Sequence, residues 1–290
     1  MSRSLKNISF AIGALIGLLV LVAVALRLFL DVNAYKPRFE AAASRALGME
    51  VRVGGRLGID FFPGLLVTLE DVHIRNRGTD VATAKQARLG MDFLPLLQRE
   101  VRIETIALEH PRITLERDRE GRFNFEKSEA ASGKRPALNL TKISLTDGMF
   151  LYTDKQSGKG FEAGDCRLDV NHFQLSARER PGIMKYLSLA AALACGEVRT
   201  KDYAASDLKF SVAGKNGVFD LKPLTMPVFA GHGSGSIQAD FTGAVPHYHV
   251  RYSLAQFHVD EFIKPLSPQK VVEGSMDFTA DLSMRGVTVN

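Results

Sequence analysis

The pattern of apolar and polar residues divides the chain into an apolar run at its amino terminus and a long alternating region behind it. Residues 8–26 are nineteen residues without a charged side chain, and residues 27–30 continue the run past one basic residue. A helix of about 20 apolar residues crosses a hydrocarbon core roughly 30 Å thick. The run therefore predicts a single transmembrane anchor, with a short internal tail and the bulk of the chain on the outer side. The alternative is a cleaved signal peptide, because residues 23–25 (AVA) loosely match a cleavage site.

Residues 35–47 predict a short helix directly after the anchor. Pro37 falls in the first turn, where its missing N–H is tolerated, and Gly48 is a typical helix stop. The apolar residues of this segment lie near one helical face. We expect this helix to cover one end of the structure that follows.

From Val51 onward the apolar residues recur at every second position, the period of a strand with one apolar face. Val67 and Leu69, for example, alternate with Thr68 and Glu70. The alternation slips at Asp71 and then resumes, which indicates a β-bulge rather than the end of a strand. At least ten short strands follow one another, with a hairpin signal at Asn216-Gly217.

The connections between these strands are too short for the helices that parallel strands require. We therefore predict a mainly β chain, with an N-terminal transmembrane helix, a short helix and an extended, curved, mostly antiparallel β-groove. Residues 128–136 (SEAASGKRP) are small and polar, and we interpret them as a flexible linker. The predicted units are a tail and anchor at 1–30, a helix and β unit at 31–127, and a second β unit at 137–290.

Two kinds of fold can accommodate strands with one apolar face. A second sheet would bury that face in a closed sandwich, the usual arrangement in all-β proteins. A sheet that curls without closing would leave a groove, and acyl chains lying there would gain about 0.8 kcal/mol per buried CH₂. The candidate lipid-binding residues that would line the groove are Val67, Leu69, Val101, Ile103, Ile113, Leu115, Leu208, Phe210, Ile237, Phe241, Val250 and Tyr252.

The net charge of +5 comes mostly from the amino terminus. Residues 1–30 contribute +3, whereas residues 137–290 are balanced, with 16 basic and 16 acidic side chains. A nucleic-acid interface needs a concentrated basic surface. The charge pattern therefore argues against a nucleic-acid partner.

The chain offers few candidates for chemistry. Cys166 and Cys195 either form a disulfide in an oxidising compartment or are two small buried side chains in neighbouring strands. His247 and His249 share a strand face but lack the further ligands of a zinc site. Residues 231–235 (GHGSG) lack the strand–Ser–helix junction of a nucleophile elbow, and we interpret them as a tight corner. We find no catalytic, metal or cofactor site and expect a protein that is not an enzyme.

A set of short motifs spread over nearly the whole chain carries a family resemblance. They are Asp31-x-Asn33-x-Tyr35-Lys36-Pro37, Phe62-Pro63-Gly64-Leu65, Leu69-Glu70-Asp71-Val72, Ala87-Arg88-Leu89, Leu94-Pro95-Leu96-Leu97, Val101-Arg102-Ile103, Pro111-Arg112-Ile113-Thr114-Leu115-Glu116-Arg117, Gly217-Val218-Phe219-Asp220-Leu221-x-Pro223-Leu224 and Phe229-Ala230-Gly231-His232-Gly233-Ser234-Gly235-Ser236. In combination these motifs resemble those of the AsmA family.

The resemblance implies a single-pass inner-membrane protein of Gram-negative bacteria whose bulk lies in the periplasm. It also implies a repeating β-groove of the bridge-like lipid-transfer type, with membrane phospholipids as ligands and a role in phospholipid transport and outer-membrane assembly. Family members usually continue for hundreds of residues, so we expect a C-terminally truncated member. The alternative function is a structural or regulatory scaffold that contacts outer-membrane assembly or other envelope proteins through closed β-sandwiches, with no lipid conduit.

Overall fold

The computed structural model describes residues 32–60, 64–91, 103–126, 140–175, 183–264 and 272–286. The predicted anchor, the predicted linker and the candidate Val101 lie outside these ranges. Within them, no helix combines the length and apolarity needed to cross a bilayer.

Thirteen strands make up most of the described chain, which confirms the mainly β prediction. They are β1 Glu50–Val53, β2 Leu57–Asp60, β3 Leu65–Asn76, β4 Thr79–Met91, β5 Ile103–Arg117, β6 Lys142–Asp154, β7 Gly160–Leu175, β8 Leu187–Thr200, β9 Ala204–Lys215, β10 Val218–Val228, β11 Gly231–Asp240, β12 His247–His258 and β13 Ser275–Arg285.

All thirteen strands belong to one open, curved sheet whose order follows the chain. The short strands β1 and β2 both pair with β3 and form one edge, and β13 forms the other edge. Every pairing is antiparallel except that of β5 with β6, so the mostly antiparallel prediction is confirmed. The parallel pair requires a long crossover, and the chain between β5 and β6 supplies it.

Helix α1 (Lys36–Leu47) follows a 3₁₀ turn at Val32–Tyr35 and covers the β1–β2 end of the sheet. As predicted, a proline lies in its first turn, and Gly48 ends it with a φ of 69° and an N–H that donates to Ser44 O over 2.8 Å. Phe39 packs from this helix onto a buried cluster of Val53, Leu57, Val67, Leu69, Val72 and Ala87. A second helix, α2 (Val259–Ile263), is a single turn between β12 and β13.

Left-handed residues interrupt the alternation inside several strands without ending them. β3 runs through Asp71, which has a φ of 55°, as the sequence predicts. The other interior positions of this kind are His110, Asp147, Asp165, His172, Asp207 and Gln256. At each of these positions, two residues instead of one separate neighbouring members of the apolar pattern. The apolar side chains before and after the left-handed residue therefore stay on one face of the sheet.

The predicted corner at residues 231–235 is wrong, because these residues belong to β11. The turn precedes them at Phe229 and Ala230, whose φ values are 53° and 57°. The glycines instead allow aromatic side chains of β12 to lie against β11. A Cβ at Gly235 would come within 2.9 Å of Tyr252 Cδ2, and one at Gly231 within 2.7 Å of Phe257 Cα. The hairpin predicted at Asn216-Gly217 is confirmed.

Candidate functional site

Strand pairing places one apolar residue from each of twelve strands in a continuous row across the sheet. Residues directly opposite each other in neighbouring strands point to the same face, so a chain of such pairs defines a line on one face. We call this line row one. Its members are Ile59, Val67, Leu89, Ile106, Ile143, Val170, Ala191, Val212, Leu221, Ile237, Val250 and Leu282.

A second row runs parallel to the first. In each strand its member lies two residues from the member of row one, or three residues away in β10, where the register is irregular. The members of row two are Leu57, Leu69, Ala87, Leu108, Leu145, Leu168, Leu193, Phe210, Leu224, Gly235, Tyr252 and Ala280. The Tyr252 hydroxyl is the one polar side-chain group in the two rows. Together they form an apolar surface without a charged side chain, which we call the floor of the trough.

A third row lies beyond the left-handed residues, on the same face. Its members are Val51, Ile74, Ala82, Ile113, Phe150, Ala163, Val198 and Ala205. Neighbouring strands are about 4.8 Å apart, so the eleven steps from the β1–β2 edge to β13 make the floor about 53 Å long. That length exceeds the roughly 30 Å hydrocarbon thickness of a bilayer.

The trough is open over most of its length. Since every described strand belongs to this one sheet, no second sheet of described residues covers the apolar face, and the closed-sandwich arrangement is not formed by them. The two ends of the trough differ in burial: Leu69, near α1, is 3% exposed, whereas Leu282 on the edge strand β13 is 51% exposed. Most residues between these ends are partly buried by their neighbours on the floor.

The sequence-predicted residues that the structure describes all lie on this face or at its rim. Row one contains Val67, Ile237 and Val250, and row two contains Leu69, Phe210 and Tyr252. The remaining described candidates lie beside these rows, as Ile103 opposite Met91, Ile113 in row three, Leu115 opposite Tyr152, Leu208 opposite Cys195, and Phe241 one residue past β11 with its ring 5.7 Å from that of Phe219.

The sequence candidates omit most of the floor. Leu89, Ile143, Val170, Leu193 and Leu221 occupy positions equivalent to those of the predicted residues. The same period-two signal marks all of these in the sequence except Leu193, which lies in a continuously apolar run. The period-two signal does not show which residues of two neighbouring strands lie opposite each other.

Tyr252 places a polar atom on the apolar floor. Its ring lies against Gly233 and Gly235, and its hydroxyl is buried without a hydrogen-bond partner among the residues that the structure describes. Burial raises the pKa of this phenol, because the charged form would lose its hydration. The hydroxyl therefore stays neutral at physiological pH.

Cys166 and Cys195 are bonded to each other across β7 and β8, with an S–S distance of 2.08 Å. Both are nearly inaccessible, at 0% and 3% exposure, and they pack with Phe150, Leu193 and Leu208 on the apolar side of the sheet. The two sequence interpretations hold together, since the pair is both buried and disulfide-bonded. The bond joins these two strands on the apolar face itself, beside row two near the middle of the trough.

The opposite face of the sheet is polar and carries the histidine pair considered above. His249 Nδ1 lies 3.1 Å from Ser283 Oγ, and His249 Nε2 lies 3.1 Å from Asp281 Oδ1. These are the residue types of a hydrolase triad, but Arg251 Nε donates to His249 Nε2 over 3.0 Å. Nε2 thus faces both a guanidinium N–H and a carboxylate oxygen, and the Ser283 and Asp281 side chains are exposed on this face. The described residues include no group of three potential metal ligands.

The geometry can be compared with known families. A family model for the AsmA family matches residues 1–177, a range that runs from the amino terminus through β7. No curated protein matches the chain. Because the match spans more than half of the 290 residues and includes the strands that begin the trough, the chain belongs to the AsmA family.

Proposed function

We propose that this protein binds phospholipids in the trough, with the acyl chains on the apolar floor and the headgroups in solvent. The observation that carries the proposal is the pair of uninterrupted rows, which present apolar side chains from the first edge of the sheet to the last. Each CH₂ that moves from water to such a surface contributes about 0.8 kcal/mol. A phospholipid tail that lies on the floor is therefore held there against transfer to water.

The continuity of the rows also supports movement of lipid along the sheet. A charged residue on the floor would have to be desolvated each time a tail passed over it, at a cost of several kcal/mol. Rows one and two contain no such residue, so neighbouring positions offer tails nearly equal environments. We propose transport of phospholipid along the trough rather than storage at one site, in support of outer-membrane assembly.

The proposed setting is the inner membrane, with the sheet in the periplasm. Residues 8–26 have the length and composition of a single span. The buried disulfide is typical of a chain that folds in an oxidising compartment. The partners proposed are membrane phospholipids and proteins of envelope assembly, and the proposed activity is not enzymatic.

Photo-crosslinking in intact membranes tests this function. A photoreactive benzoyl-phenylalanine is introduced at Ile237, in row one, or at its neighbour Gln238, which is exposed on the polar face. Phospholipid adducts, identified by mass spectrometry, are expected from position 237 and not from position 238. Equal labelling at both positions, or none at 237 in folded protein, would contradict lipid binding in the trough.

A further inference from the structure

The net charge of the chain is confined to its first 56 residues. Residues 1–56 carry eight basic and three acidic side chains, whereas residues 57–290 carry 29 basic and 29 acidic side chains. Residues 32–56, which follow the apolar run, contain five basic and two acidic side chains, a local charge of +3. The first part of the folded region is therefore basic, and the rest of the chain has no surplus of either sign.

Helix α1 uses one side to hold the edge of the sheet. Ser44 Oγ accepts a hydrogen bond from Val51 N over 2.8 Å. Glu40 Oε1 accepts one from Val53 N over 2.7 Å, and Phe39 packs onto the buried cluster described above. Glu40 is the one acidic residue of the helix, so its carboxylate is turned towards the strands and away from the outer side.

The outer side of α1 carries a basic stripe along most of its length. We call Tyr35, Arg38, Ala42 and Arg45 the outer stripe, because their spacing of three, four and three residues places them on one line of a helix, and all four are exposed. The Arg38 guanidinium lies over the Tyr35 ring, 5.9 Å from its centre, and Arg45 Nε donates to Ala41 O over 3.2 Å. Neither arginine forms an ion pair within the described part of the chain, so both charges remain available to a partner.

The position of α1 along the chain brings the outer stripe next to the proposed membrane span. The apolar run ends at residue 30, and the 3₁₀ turn that leads into α1 begins at Val32. One connecting residue and a turn of four residues at about 2 Å each place the start of α1 at most about 12 Å from the end of the run. Headgroups extend about 5–7 Å beyond the hydrocarbon, and the Debye length adds about 8–10 Å. The stripe therefore begins within range of the headgroup charges.

We propose that the outer stripe lies on the surface of a bilayer that contains anionic phospholipid, with Arg38 and Arg45 at the lipid phosphates and Tyr35 in the headgroup layer. Each basic side chain next to an anionic membrane surface strengthens binding about fivefold. Tyrosine is favoured at the interface because its ring is apolar and its hydroxyl is polar. Since the stripe follows the helix axis, α1 lies flat on the membrane. The proposal rests on the proposed membrane anchor and is independent of lipid binding in the trough.

This orientation fixes which end of the trough meets the membrane. The side of α1 opposite the outer stripe holds β1 and the cluster that includes Leu57, the first residue of row two. A helix with its side chains is about 10–12 Å thick, so the floor begins about that far above the headgroups. Lipids that leave the bilayer therefore reach the β1–β2 end of the trough first.

Fluorescence quenching by a headgroup-labelled lipid tests the contact. The two cysteines of the chain are bonded to each other, so Ala42→Cys gives one site for a bimane label on the outer stripe. The labelled full chain is inserted into nanodiscs of phosphatidylcholine, with or without about 30% phosphatidylglycerol, and each disc contains the same share of a nitroxide-headgroup lipid. Quenching is expected to be at least about threefold stronger with phosphatidylglycerol and to fall to the phosphatidylcholine level at about 1 M salt, where the Debye length is about 3 Å.

Charge reversal on the outer stripe separates this contact from the effect of the tether. Arg38→Glu with Arg45→Glu removes two attractions of about fivefold each, so docking is expected to weaken about 25-fold or more, whereas lysine at both positions retains it. Arg167→Glu with Lys209→Glu makes the same charge change at exposed positions of β7 and β9 and is expected to leave quenching unchanged. Failure of the chain to insert, equal quenching in the two kinds of disc, unchanged quenching in the outer-stripe glutamate variant, or an equal loss in the control would overturn the proposal. Lipid labelling at Ile237 is measured separately, so its failure is distinct from failure of this contact.

Discussion

A single charge on the trough floor should weaken lipid binding, whereas the same charge one residue away should not. Phe210 lies in row two, paired with Leu193 and Leu224, and Phe210→Asp puts a carboxylate beneath the bound tails. The adjacent residue Ser211 is exposed on the opposite face. Ser211→Asp is therefore a matched control in the same strand.

The geometry of the sheet gives the size of the effect. Each floor position occupies about 4.8 Å across strands and about 6.7 Å along a strand, or about 32 Å². At 25 cal/mol per Å², loss of contact there removes about 0.8 kcal/mol from the protein surface and a similar amount from the tail. A hydrated carboxylate also holds the tail away from its row neighbours, so the loss is at least the sum of these two contributions, about 1.6 kcal/mol. Binding should fall by at least about tenfold, since 1.4 kcal/mol corresponds to a factor of ten.

The assay is the molar ratio of phospholipid to protein after purification and organic extraction. Phe210→Asp is expected to retain about a tenth of the wild-type lipid or less, and Ser211→Asp to stay within about twofold. Thermal unfolding of both variants, and of the conservative Phe210→Leu, shows whether the fold is preserved. Equal lipid content in folded Phe210→Asp and Ser211→Asp proteins would refute the assignment of the apolar face as the binding surface.

Three further predictions concern stability. Tyr252→Phe removes a buried hydroxyl that has no hydrogen-bond partner in the described part of the chain, and it should raise the free energy of unfolding by about 1 kcal/mol in urea titrations. A loss of stability would show that the hydroxyl is bonded. Replacing Cys166 and Cys195 by serine opens a loop that the disulfide closes over a sequence separation of 29. The free energy of unfolding should fall by about 3–4 kcal/mol by the chain-entropy estimate, and wild-type protein in reductant should lose a similar amount. Backbone N–H groups of residues 156 and 157 donate to the Asp154 carboxylate and lower its pKa, so the carboxylate stabilises the fold above the ordinary value of about 3.9. The difference in melting temperature between the wild type and Asp154→Asn should therefore be present at pH 7 and shrink as the pH falls below about 4, whereas a constant difference would contradict this role.

Local features of the fold could be predicted because they depend on neighbours along the chain. The period of two identifies strands, since successive side chains point to opposite faces. The helix at residues 36–47 follows from Pro37 and Gly48, and the continuation of β3 through Asp71 follows from alternation that resumes beyond it. Each of these signals lies within a dozen residues.

Features that depend on contacts between residues distant along the chain could not be predicted, because no local pattern specifies those contacts. The slips at His110 and Asp147 divide β5 and β6 into apparent short strands, although each strand is continuous, with 15 and 13 residues respectively. The parallel pairing of β5 with β6 depends on a crossover that no local pattern specifies. The glycines of β11 resemble a corner until the ring of Tyr252 and the backbone of Phe257 are placed against them.

The left-handed residues show how the backbone and the proposed function depend on each other. An extra residue in one strand alone would move its later apolar side chains to the polar face relative to its neighbours. Five of the irregular positions, Asp71, His110, Asp147, Asp165 and Asp207, instead lie at one level of the sheet, because the strand register links the residues beside them. At this level the carboxylate of Asp147 lies 3.8 Å from His110 Nε2. Rows one and two therefore stay aligned on one side of this level, and row three on the other. Aspartate, which tolerates a positive φ better than most residues, keeps the trough floor continuous where the sheet bends.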